Sequence, residues 1–184
     1  MMKYEIIPKI RMQFSEHVLY RIRALRDIPT LRVKAGDLGG WIEKEDNLSQ
    51  DGDCWISNDA KAYDDARVYG NARVSGHAQV FENAQVYGNA EVEHYVKIHG
   101  NAQVFENAFI FSGADIYAYA KVFGYARVYG DAQVFDNAQV YEGARVCDYA
   151  KISGDAQVFG DFTRVFGKAE VYGCAQISDD AQIS

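Results

Sequence analysis

The stretch HAQVFE NAQVYG NAEVEH YVKIHG NAQVFE NAFIFS GADIYA YAKVFG YARVYG DAQVFD NAQVYE, residues 77–142, is written in units of six. The consensus unit reads Asn, Asp, Gly or Tyr, then Ala, any residue, Val or Ile, Tyr or Phe, and Gly, Glu or Asp. A fixed short period dictates a solenoid and overrides local secondary-structure preference. Ala and Val stand two apart, so an extended strand turns both to one face, as for Ala78 with Val80 and Ala102 with Val104. Gly-Asn and Gly-Asp pairs such as Gly70-Asn71 and Gly130-Asp131 lie between the strands and tolerate the positive φ of a two-residue corner. Three such sides close a coil of 18 residues with the aliphatics stacked inside a three-sided prism.

Outward from that stretch the period persists. Eighteen unbroken hexads run from Asp53 to Gly160, a seven-residue unit occupies 161–167, and three more units follow. That gives about seven coils, or roughly 34 Å of rod at ~4.8 Å per coil. The two prolines, Pro8 and Pro29, both precede the repeats, as a ladder that needs every N–H requires. The chain divides into an N-terminal β cap with a Gly-rich closing segment, 1–52, and the repeat rod, 53–184.

The phase V-Y-G-N-A-R resembles the hexapeptide repeat of left-handed parallel β-helix proteins. The period itself implies three-sided coils, and the resemblance implies the left hand. Right-handed helices of pentapeptides are excluded by a period of six. The place after the aliphatic, usually small or acidic in that repeat, is here mostly Tyr or Phe. Together with LYRIRALRDI (19–28) and VKAGDLGGWIEKEDNLSQDG (33–52), the repeats are similar to a group of hexapeptide proteins from phages, prophages and gut bacteria. Members of that group are labelled transferases or have no agreed activity, so the resemblance implies architecture and transfers no residue roles.

In the cap, Lys3 to Ile10 reads as a strand interrupted at Pro8, and His17 to Leu25 alternates as a second. Asp27 to Thr30 reads as a turn and Leu31 to Lys34 as a third strand. Gly36, Gly39 and Gly40 suit sharp turns, while Trp41, Ile42, Leu48 and Trp55 supply apolar mass to close the first coil.

Charge is unevenly spread. Residues 1–44 carry nine Lys/Arg against five Asp/Glu, a net of +4, and 45–184 a net of −11. An acidic rod repels phosphate backbones, so nucleic acid is not expected along it. No apolar run is long enough for a membrane span and no signal-peptide pattern opens the chain. Cys54, Cys147 and Cys174 are odd in number and lack metal spacing, which fits reduced thiols and a cytoplasmic location.

Places 18 apart lie over one another. Tyr69, Tyr87, Phe105, Phe123, Tyr141 and Phe159 therefore form one outward column, and Tyr63, Phe81, His99, Tyr117 and Phe135 a second. Ser75, Glu93, Phe111, Tyr129, Cys147 and Phe166 form a third, mixed one. Such columns strengthen a ladder by stacking and also offer a contact surface.

Hexapeptide acyltransferases place a histidine base between neighbouring prisms, beneath loops that hold the substrates. Here no loop breaks the coils beyond one residue, so the expectation is no catalytic residue and no cofactor, with an acyltransferase at an intersubunit cleft as the alternative. His77, His94 and His99 are the candidate metal ligands, by similarity to the three-histidine site of hexapeptide-type carbonic anhydrases.

The expected function is a non-enzymatic scaffold or binding protein, phage- or prophage-associated. Its partners are another copy of the chain and a host protein or small-molecule ligand. Ala181 and Ile183 stay in phase to the last residues, so an end-to-end dimer through the C-terminal coil is the favoured oligomer.

Overall fold

A computed structural model describes residues 2–184. Two-residue strands recur along the rod and stack in three parallel sheets. Gln79 pairs with Lys97, Lys97 with Asp115 and Asp115 with Gln133, each step 18 residues. Ladder bonds tie each coil to the next, as in Gln103 N–H to Ala120 O (2.9 Å) and Phe105 N–H to Val122 O (3.1 Å). Every Ala, Val and Ile on the two inward places from Ala60 to Val158 is fully buried, so the prism is dry and close-packed. The chain is thus an all-β, parallel β-solenoid.

The sixth place of the hexad sits at the corner in the left-handed backbone region, which explains why it is mostly Gly, Asp or Glu, with Asn58, His94, Ser112 and Ala118 as the other occupants. Gly88 and Gly100 occupy it at φ 70° and 68°, and Glu82, Glu106 and Asp136 at 57°. A side chain there costs about 1–2 kcal/mol. The acids offset it by accepting a backbone N–H from the coil above. Glu82 takes that of Gly100 (2.7 Å), Glu106 that of Gly124 (2.9 Å) and Asp136 that of Gly154 (3.0 Å). The extra residue of 161–167 lengthens one step to 19, pairing Arg145 with Arg164, and Thr163 fills the inward small place.

The cap begins with an antiparallel hairpin of β1 (Tyr4–Phe14) and β2 (His17–Ala24). Its register slips between Ile7 and Arg11, around the donor-less Pro8. The expected strand at 31–34 does not form. Pro29–Leu31 is a 3-10 turn, Arg32 lies at φ 57°, and Val33 folds back to bridge Ile28. The third strand is instead β3 (Leu38–Ile42), antiparallel to β2 on one edge and parallel to Lys61–Ala62 on the other. Leu48 likewise bridges Val68 in parallel. Residues 41–42, Leu48 and Trp55–Ile56 therefore make the first of eight coils.

Gly39 and Gly40 serve this joint by their lack of a side chain and not by turning. A Cβ on Gly39 would lie 2.5 Å from Ile22 and 2.6 Å from Trp55. One on Gly40 would meet Ile56 at 2.5 Å and the Ala60 carbonyl at 2.6 Å. The turn falls to Gly36, at φ 97°. Tyr4 plugs the prism edge-on to Trp55, with its hydroxyl donating to Leu48 O (2.6 Å). Lys3 is fully buried beside it, Nζ 3.3 Å from Asp51 O and 3.0 Å from Cys54 Sγ. At the other end Gln182–Ile183 pairs with Arg164–Val165, and Ala181 and Ile183 are half-buried where earlier equivalents are fully buried. No helix among the described residues is long and apolar enough to cross a membrane.

Candidate binding face: the aromatic columns

The fifth place of each hexad follows an inward aliphatic and so points outward. Coils in strict register then put ring over ring. From Tyr69 through Tyr87, Phe105, Phe123 and Tyr141 to Phe159, successive centroids lie 4.8, 4.9, 4.9, 5.0 and 5.0 Å apart, with planes within 6° of parallel. All six rings are half-buried by their neighbours and half open to solvent. On the third place of the same strands Gln85, Gln103, Gln139 and Gln157 run alongside, with Arg67 at the start and Lys121 between Gln103 and Gln139. The Tyr69 hydroxyl donates to Gln85 (3.0 Å) and that of Tyr141 to Gln157 (3.2 Å). Burial in the column pushes the Tyr69, Tyr87 and Tyr141 phenols up from their ordinary value. Phe105 and Phe123 leave the centre of the column without hydroxyls. Tyr hydroxyls therefore stand only at Tyr69, Tyr87 and Tyr141, and the last ring is Phe159.

The second column stacks at 5.1, 4.7, 5.2 and 4.9 Å through Tyr63, Phe81, His99, Tyr117 and Phe135. The hairpin extends it, because His17 lies 4.8 Å from the Tyr63 ring and Phe14 5.7 Å. That covering, with Asp64 and Glu82 nearby, pushes the Tyr63 phenol up to about 12. In the third column Phe111 and Tyr129 stack at 4.7 Å, while Ser75 and Cys147 are buried in the wall and Phe166 lies under the Arg164 guanidinium at 4.8 Å.

The three candidate histidines occupy different settings. His77 is exposed and stacks 5.0 Å from Tyr95. His94 is an exposed corner residue at φ 69°, joined to His77 only through a backbone bond. His99 is held in the second column with Nε2 3.2 Å from Asp115 and Nδ1 3.7 Å from Glu82. The compact ligand-type set among the described residues is a different one, His17, Glu43 and Asp64, whose donor atoms lie within 4.8 Å of one another. Nδ1 of His17 faces Glu43 at 3.1 Å and Nε2 faces Asp64 at 3.6 Å, while Glu43 also accepts the Asp64 N–H (2.7 Å). As arranged, the imidazole bridges two carboxylates and fastens the hairpin to the first coils. Residues 17, 43 and 64 show no motif spacing, so the sequence did not reveal this set.

The three thiols are unpaired. Cys54 and Cys147 are buried and Cys174 is exposed. Burial pushes the Cys54 thiol up, against the pull of Lys3. Five of the most exposed rings lie at the corners, from Tyr149 at 60% to Phe162 at 72% with Tyr95, Tyr119 and Tyr125 between them, while Tyr172, at 70%, stands on a fifth place in the last coils. The signal for the four corner tyrosines in the sequence is a Tyr on the first place of the hexad, and Phe162 stands in the seven-residue unit. Asn71, Asn89 and Asn107 hold that place on one corner as an amide ladder (3.1 and 3.2 Å), and Tyr125 interrupts it.

Residues 63–82 and 84–100 match the family model described as the YdcK beta solenoid repeat. The matched segments begin at Tyr63 and include the first rings of both long columns. The match and the stacked coils agree on a β-solenoid repeat architecture. No curated protein matches the chain.

Proposed function

We propose that this protein is a non-enzymatic β-solenoid scaffold whose Tyr69 column is a contact face toward a second copy of itself. The observation that carries the reading is the run of six half-open rings in one line, flanked by four glutamines and by Arg67 and Lys121, on one parallel sheet. A continuous apolar stripe of that kind exceeds the scattered exposure of an ordinary monomer surface. Two copies related by a two-fold axis would bury it against itself, with glutamine amides at the rim supplying hydrogen bonds. The winding sense that accompanies this reading is the left-handed one implied by the hexapeptide resemblance.

The test is a double substitution at the apolar centre, Phe105→Ser with Phe123→Ser. Each stacked pair contributes about 0.5–1.5 kcal/mol to the ladder, so the rod should survive with a lower melting temperature. Light scattering should show the parent at twice the chain mass and the variant at the chain mass. A parent that is already monomeric overturns the proposal, as does a folded variant that keeps the parent's mass.

A further inference from the structure

The Tyr69 column ends differently from its neighbour. In the second column the hairpin lays His17 and Phe14 against Tyr63, so the terminal ring is covered. Below Tyr69 the next place in the stack is Ser49, fixed by the bridge between Leu48 and Val68 and by Ser49 N–H to Val68 O (2.9 Å). A serine leaves the outer face of the Tyr69 ring without an aromatic neighbour. A cavity of about 500 Å³ opens there, walled by Leu48, Ser49, Val68 and Tyr69. Its rim carries the Glu45 and Asp46 carboxylates from the 3-10 turn Glu45–Asn47, and Arg67 from the first strand of the face. Among the described residues none of these three charged side chains has a hydrogen-bond or ion-pair partner, whereas Gln50 and Gln85 are already engaged.

We propose that this gap is a binding site for a planar nitrogen heterocycle of the nucleobase class, which completes the column by stacking on Tyr69. Successive rings of the protein repeat every 4.8–5.0 Å, so the unfilled place has the thickness of one further ring. The rim asks for a ring whose edge carries both kinds of group. N–H donors face the carboxylates of Glu45 and Asp46, and a carbonyl or ring nitrogen accepts from Arg67. These three side chains are exposed and solvated in the free protein, and an edge with both kinds of group is what lets a ring engage them directly. The two carboxylates and the acidic rod repel phosphate, which selects a nucleoside or free base over a nucleotide or a polynucleotide. The site requires no second copy of the chain, so its failure and that of the face contact are separate results.

The probe is guanosine, whose base offers N–H donors and a carbonyl, with ribose and tryptophan amide as comparisons. Saturation transferred from the protein should reach the base proton at C8 and not free ribose, with a dissociation constant measurable in the micromolar to millimolar range. Ser49→Phe fills the gap with the chain's own ring. It should weaken guanosine binding at least tenfold while the melting temperature holds or rises, which separates loss of the site from loss of the fold. Arg67→Ala, at an exposed position, should weaken binding severalfold. No binding of guanosine up to its solubility overturns the proposal, as does parent-like binding by a folded Ser49→Phe variant. Tighter binding of tryptophan amide than of guanosine also overturns it, in favour of an aromatic side chain as the occupant.

Discussion

Glu82 shows how a single place in the hexad carries two opposing effects. Its backbone sits at φ 57°, a strained setting for any side chain but Gly, and its carboxylate accepts the Gly100 N–H at 2.7 Å. Glu82→Ala keeps the strain and removes the acceptor, whereas Glu82→Gly removes both. The glycine variant should therefore be more stable than the alanine variant by about 1 kcal/mol in chemical denaturation. Equal stabilities, or a more stable alanine variant, would contradict the corner assignment. The inward places from Ala60 to Val158 could be read from the sequence, because a period of two within a period of six leaves one solution. Gly39 and Gly40 could not. Their role depends on the approach of Ile22, Trp55 and Ile56, which only the folded joint brings together.

Among the elements, the second column has a pH dependence with a definite sign. The Tyr63 phenol is pushed up to about 12, chiefly by burial, while in the unfolded chain it titrates near 10. The folded state therefore holds the proton more tightly. Its contribution is fully present below pH 10 and is lost as pH rises from about 10 to about 12. Thermal melts across that window should fall for the parent and fall less steeply for Tyr63→Phe, and parallel slopes would contradict the burial of this hydroxyl. The columns themselves were legible from spacing alone, since residues 18 apart must stack in three-sided coils. Their covering by the hairpin was not, because the contacts of Phe14 and His17 with Tyr63 join segments separated by an irregular cap. The third cap strand lies at Leu38–Ile42 and not at 31–34 for a related reason. Pro29 starts a 3-10 turn there, and pairing with β2 and with Lys61–Ala62 selects Leu38–Ile42 as the strand.

The whole molecule is a three-sided prism with one end plugged by Tyr4, Lys3 and the hairpin, and with three faces of unequal character. One face carries the unbroken Tyr69 column, one a column covered at its start, and one a mixed run broken by Ser75 and Cys147. Architecture was legible at this scale because the repeat fixes it. The joint at residues 41–48 was not, since parallel winding there proceeds without the hexad consensus. Self-association through the Tyr69 column makes a geometric demand on the assembly. Copies joined face to face lie side by side, so the mass doubles while the long dimension stays that of one rod. Copies joined through their last coils would double the length as well. Small-angle X-ray scattering on the parent protein, with mass from forward scattering, separates these directly. The account predicts a particle of twice 20.6 kDa whose longest dimension is close to that of a single chain. A particle of 20.6 kDa, or one of doubled mass and doubled length, would contradict it.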